Sequence, residues 1–122
     1  MKLKLLRIYS DDLNPAGAGL PRDWERFNVR VEVDVCFEGH EVDSVFFEFY
    51  VASPSALLSS AVNTFMPPTL ILEEFNWSEI KIRVIKLLAH ANGATSWQEV
   101  AFKLNGQMRP VSMSCFPKRM ID

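Results

Sequence analysis

Between Val31 and Ile80 the chain has no lysine and no arginine. Nine acids occupy that stretch: Glu32, Asp34, Glu38, Glu41, Asp43, Glu48, Glu73, Glu74 and Glu79. From Lys81 to Arg119 the balance reverses, with seven bases against the single acid Glu99. A formal net charge of −2 therefore conceals a −9 block followed by a +6 block. Such segregation does not decide a fold, but it creates a field that steers charged partners. An acidic strand surface suits a basic protein and repels nucleic acid.

Other scarcities narrow the function classes. The two cysteines, Cys36 and Cys115, fit no metal-ligand or redox spacing. They read as free thiols in a reducing compartment, with a disulfide between them as the alternative. No apolar run approaches the roughly 18 residues of a membrane span. The N-terminal segment MKLKLLRIYS has two lysines but neither a long apolar stretch nor a small-residue cleavage site, so it reads as a strand. The expectation is a cytoplasmic protein. Only two histidines occur, His40 in a turn and His90 near a helix end. There is no G-x-S-x-G elbow, no H-E-x-x-H, no paired C-x-x-C, no calcium loop and no glycine-rich phosphate loop in strand-to-helix context. Nucleophilic catalysis needs a nucleophile, a base and an orienting group, and no such set is visible. Asp11-Asp12 reads as a solvated pair. Glu32, Asp34 and Glu48 could cluster around a hard cation, but no phosphate-bearing partner site or ordered loop accompanies them. No catalytic residue, metal or cofactor is therefore expected. Lys81, Arg83 and Lys86 are too few, and too far from any aromatic platform, to argue for nucleic acid in a net-acidic chain.

What is present is a core. With 48% hydrophobic residues in 122, the expectation is one domain over residues 1–122 with a real interior. Lys2 to Tyr9 alternates and reads as a strand, with an irregularity near Leu6. The clearest strand follows a polar loop: Val29, Val31, Val33, Val35 and Phe37 on one face, Asn28, Arg30, Glu32, Asp34 and Cys36 on the other. A partner strand from Val42 to Val51 carries Val45, Phe47, Phe49 and Val51 on one face. Joining the two apolar faces pairs Val35 with Val45, Val33 with Phe47 and Val31 with Phe49, around a three-residue loop, Gly39 to Glu41. The same register sets Glu32 opposite Glu48 and Asp34 opposite Phe46. Like charges so placed cost stability. Either Arg30 or a base from elsewhere neutralises them, or they are kept for another purpose.

Ser53-Pro54 starts a helix with Leu57, Leu58, Ala61, Val62 and Phe65 on its apolar side, ended by Pro67-Pro68. Thr69 to Phe75 reads as a short strand. Asn76 with Glu79 caps a long helix whose stripe is Ile80, Val84, Leu87, Leu88 and Ala91, widened by Ile82 and Ile85. Ser96 with Glu99 opens another helix that buries Trp97, Val100, Ala101 and Leu104. Pro110 to Phe116 returns to the sheet edge. This order predicts an α+β fold, a mostly antiparallel sheet with two or three helices packed on one face. The other face is then solvated and carries the acids.

Three stretches, FFEFYVASPSAL (Phe46 to Leu57), LILEEFNWSEI (Leu70 to Ile80) and SWQEVAFKL (Ser96 to Leu104), resemble in order and spacing the immunity protein 8 family of bacterial polymorphic toxin systems. The resemblance covers roughly residues 27 to 105. The chain departs from the family in its short segment Asn63 to Pro68 and in its basic C-terminal end. Trp97 and Glu99 match the family motif; they read as a core anchor and a helix cap, with toxin contact as the alternative. The resemblance implies a non-enzymatic antidote that holds a cognate C-terminal toxin domain inactive by occluding it, a basic nuclease being one form such a domain could take. The candidate contact residues are Glu32, Asp34, Glu38, Glu41, Asp43, Phe46, Glu48 and Tyr50. Alternatives are an oligomerising or scaffold subunit, an enzyme using the same carboxylates, or acids that are an ordinary solvated face.

Overall fold

The computed structural model describes residues 1–13, 17–60 and 66–111. The elements are β1 (Leu3–Tyr9), β2 (Asn28–Phe37), β3 (Val45–Ala52), α1 (Pro54–Ser60), β4 (Thr69–Ile71), α2 (Trp77–Ala89), α3 (Trp97–Lys103) and β5 (Arg109–Pro110). They form an α+β arrangement around one mixed sheet in the order β1-β2-β3-β4, with β5 also on β3. The β1–β2, β2–β3 and β3–β5 pairs are antiparallel, and β4 runs parallel to β3.

Period-two patterning decides the hairpin. Val31 pairs with Phe49, Val33 with Phe47 and Val35 with Val45, as the matching of apolar faces requires. These side chains are buried and form one cluster with Ile80, Val84 and Leu88 of α2 and Val100 and Leu104 on or just after α3. The β1 irregularity falls where expected, between Leu5 and Arg7. It keeps Leu3, Leu5 and Ile8 on the core side, and Lys4, Arg7 and Tyr9 on the other.

The connection between β2 and β3 differs from expectation. It runs over residues 38–44 rather than three residues, because β3 begins at Val45 and not Val42. Two successive turns fill it, His40 N donating to Phe37 O and Asp43 N to His40 O. Gly39, at φ +88°, supplies a left-handed conformation that side chains resist. Register survives a longer loop because side-chain burial, not the turn, sets it.

The helix starts follow their capping residues. Ser53 Oγ accepts from Ala56 N at 3.4 Å, and Asn76 Oδ1 from Glu79 N at 3.1 Å. Ser96 Oγ accepts from Glu99 N at 3.2 Å while Glu99 Oε2 reaches back to Thr95 N, also at 3.2 Å. Trp97 packs on Phe37 and Phe47, with ring centroids 4.7 and 6.3 Å apart. Trp97 and Ala101 pack against the core but stay half-buried; of the four residues expected to be buried here, only Val100 and Leu104 are.

Several expectations are corrected. Only Thr69–Ile71 is strand in the segment read as Thr69 to Phe75; Phe75 turns inward to meet Phe27 and Trp77 edge-on. Ile82 and Ile85 do not widen the α2 stripe. They are 48% and 52% exposed, because at 100° per residue Ile82 and Ile85 lie about 160° and about 100° round the helix from Val84, the middle of the buried stripe. Leu58 is likewise exposed on α1. The proposed roles of Ala61, Val62 and Phe65, and the return strand beyond Val111 with Cys115, lie outside the described residues.

Candidate functional site

The outer face of the sheet, opposite the helices, holds most of the candidate contact residues. Three rows cross it. Lys4 of β1 meets Cys36 of β2; Arg7 meets Asp34, which meets Phe46 of β3; Tyr9 meets Glu32, which meets Glu48, which meets Arg109 of β5. Arg30 and Tyr50 form the next pair along.

Glu32 and Glu48 are each 9% exposed, so the expected water-facing acids are in fact covered. Their charges are also answered. Arg30 lies between them, its Nη2 2.5 Å from Glu32 Oε1 and its Nε donating to Glu48 Oε2. Arg109 Nε donates to the second Glu48 oxygen at 2.9 Å. Tyr9 Oη donates to Glu32 Oε2. Two carboxylates and two guanidiniums thus form a neutral block. Burial pulls the Arg30 guanidinium down, but hydrogen bonds and charge from Glu48 and Glu32 outweigh it and leave Arg30 raised. Burial, reinforced by the Glu32 carboxylate, pushes the Tyr9 phenol up to about 12. The ring of Tyr9 also carries Arg7, whose guanidinium carbon lies 4.4 Å from its centroid.

Counted across the face, Lys4, Arg7, Arg30 and Arg109 stand against Glu32, Asp34 and Glu48. This surface is a mixed-charge ladder and not an acidic plate. The correction has a simple cause. The acids are consecutive in sequence, but the strands beside them come from residues 3–9 and 109–110, which supply bases. Asp34 is half-buried, and its Oδ1 is buried with no hydrogen-bond partner. Phe46 is half-buried opposite it, and Tyr50 is half-buried opposite Arg30. Cys36 is fully buried and free, with its thiol pushed up first by burial and then by Glu41.

The remaining candidates lie at the hairpin tip. Glu38, Glu41 and Asp43 are exposed there. Glu41 pairs with Lys4 at 3.3 Å, and its carboxyl is held low by its own backbone amide and by Lys4. Among the described residues neither Glu38 nor Asp43 makes an ion pair. Between them stands Val42, 94% exposed. A strand that begins at Val42 hides this residue; a β-branched apolar residue among the three acids Glu38, Glu41 and Asp43 is the signal that marks it.

Among the described residues no three His, Cys, Asp or Glu side chains gather in a way that could hold a metal ion, and no helix is long and apolar enough to cross a membrane. His40 is exposed in the tip and His90 is exposed at the α2 C-cap.

Searches of curated proteins and of solved structures return no significant match. A family model does match: immunity protein 8, over residues 1–109. That span contains every described element but the last residue of β5, along with the ladder and the tip. The chain belongs to the immunity protein 8 family.

Proposed function

We propose that this protein binds a cognate toxin and neutralises it by covering its working surface, with the hairpin tip as the leading contact. Membership of the family makes it an immunity protein of toxin systems, which implies a partner toxin. The observation that carries the finer reading is the tip itself. Glu38, Glu41 and Asp43 surround a nearly fully exposed valine on a projecting loop. Val42 contributes nothing to the core and stands directly between Glu41 and Asp43, so it is available as contact area within a charged patch. Free carboxylates steer a basic partner and raise the association rate, while Val42 supplies apolar area once seated.

Asp34, Phe46 and Tyr50 extend the contact along the outer face. Glu32 and Glu48, the other two candidates, act in this reading as the framework that holds the hairpin flat, since their charge is spent on Arg30 and Arg109. The toxin is then a basic protein, a nuclease being one such class. Occlusion needs no catalytic group, and membership of an immunity-protein family supports a role by binding.

The test is co-expression with the cognate toxin domain. Changing Glu38 and Asp43 to lysine and Val42 to serine is expected to abolish growth rescue while the purified variant keeps its native circular dichroism. Changing Lys81 and Lys86 on the opposite layer is expected to leave rescue intact. Full protection by the triple tip variant would overturn the proposed site.

A further inference from the structure

Away from the tip, between α2 and the β4/β5 edge, lies a cleft with an apolar lining and a basic side chain, complementary in chemistry to the tip. β4 and β5 share one edge of β3: β4 pairs with Tyr50 to Ala52, and β5 with Phe47 and Glu48. The edge therefore splits at Phe49. Above the split lies α2, which with the turn leading into β5 leaves a cleft of about 230 Å³. Phe49, Leu70, Val84, Leu87 and Met108 line it, with Arg83 at its rim. The floor is apolar, and the open side carries positive charge. Glu79 engages Arg83 only through Nε, at 2.8 Å. Lys86, next round the helix on the same side, makes no ion pair among the described residues. Helix α2 as a whole sets Lys81, Arg83 and Lys86 against the single acid Glu79.

We infer that the hairpin tip of one copy of this chain seats in the α2 cleft of a second copy, Val42 entering the apolar floor and Asp43 meeting Arg83. The occupant is argued from complementarity. The cleft needs a projecting apolar side chain flanked by negative charge, and the tip at residues 38–43 is such a feature. The two patches are different surfaces of the molecule, so the contact is head-to-tail. It adds copies until a ring closes or the chain of copies runs on. A tip in a cleft buries far less than the roughly 1,200 Å² of a stable complex, so the association is weak and rapidly reversible. Because the tip is also the proposed toxin contact, self-association and toxin binding exclude one another; that consequence, unlike the self-contact, rests on the functional reading above.

Sedimentation of the full chain alone, from micromolar to millimolar concentration, is the test, and it requires no toxin. The weight-average mass is expected to rise with concentration and to fall back as salt is added. Val42→Ser, which spoils the tip, and Arg83→Glu, which spoils the rim, are both exposed changes that leave the core intact. Each is expected to weaken association about tenfold or more. Mixed in equal amounts, the two variants still share one intact tip and one intact cleft, so they are expected to recover association that stops at a dimer. A monomer throughout the range, association unaffected by either variant, or a mixture no better than its components would each overturn the inference. A wild-type chain that stays monomeric throughout yet still protects against the toxin would remove this contact and leave the immunity reading standing.

Discussion

Glu32 and Glu48 face each other directly across β2 and β3, and Arg30 reaches both. The sheet tolerates two opposed, nearly buried carboxylates because that guanidinium lies between them while Arg109 and Tyr9 take up their other oxygens. Removing that bridge leaves buried charges that repel and cannot be hydrated. Arg30→Leu is expected to cost about 2–4 kcal/mol, less than a fully buried pair because Arg30 keeps some exposure. Adding Glu32→Gln to that variant is expected to recover part of the loss. Urea unfolding of the three chains measures both.

Tyr9 ties stability to alkaline pH. Its phenol is raised from 10.0 to about 12 in the folded state, so between those values the native chain keeps a proton that the unfolded chain has lost. Stability from this group is complete below pH 10 and declines as pH rises through 12. Phenolate absorbance is expected to show one of the two tyrosines ionising near pH 12. Tyr9→Phe is expected to remove that phase and flatten the corresponding fall in stability.

Helix α2 separates its isoleucines by face. Leu88 is buried, whereas Ile82 and Ile85 are about half exposed. Leu88→Ala is expected to cost about 2–4 kcal/mol, and Ile82→Lys with Ile85→Lys to change stability by no more than about 0.5 kcal/mol each. Thermal melts of the variants decide between this assignment and the wider stripe read from the sequence.

Cys36 is buried with its thiol pushed above its ordinary range. In a Cys115→Ser chain a thiol reagent is expected to react at the rate at which the protein opens, and rapidly once denatured. Fast reaction of the native variant would contradict the burial.

The fold was largely readable along the chain, and for local reasons. The Val29-to-Phe37 alternation has one solution as a half-buried strand, and matching it to Phe47 and Phe49 fixes register without knowledge of the turn. Asn76 and Ser96 cap their helices through contacts three residues away, which any reader of the sequence can count. The misreadings occurred where the answer depends on distant segments. Val42 is β-branched and suits a strand by composition, but it is out of phase with Val45, Phe47, Phe49 and Val51, and β2 ends at Phe37 with no residue to pair with it. Phe75 fits a strand by composition, yet Phe27 and Trp77 draw it inward.

The candidate site was legible in part. The exposed acids of the tip stand in a turn that glycine and polarity announce. Neutralisation of Glu32 and Glu48 by Arg30 was legible as one of two alternatives, and the ion pairs bear it out; their burial and the contacts from Tyr9 and Arg109 were not legible, since they depend on what packs beside them. Sequence by itself determined the strand and helix periods, the capping residues, the apolar faces and hence the family's fold, because these follow from contacts within a few residues and from burial. Only the tertiary structure decided that the outer face is neutral. It brings Tyr9 and Arg109 to the two sides of an acidic hairpin across many intervening residues, and Coulomb interactions depend on distance in space, not along the chain.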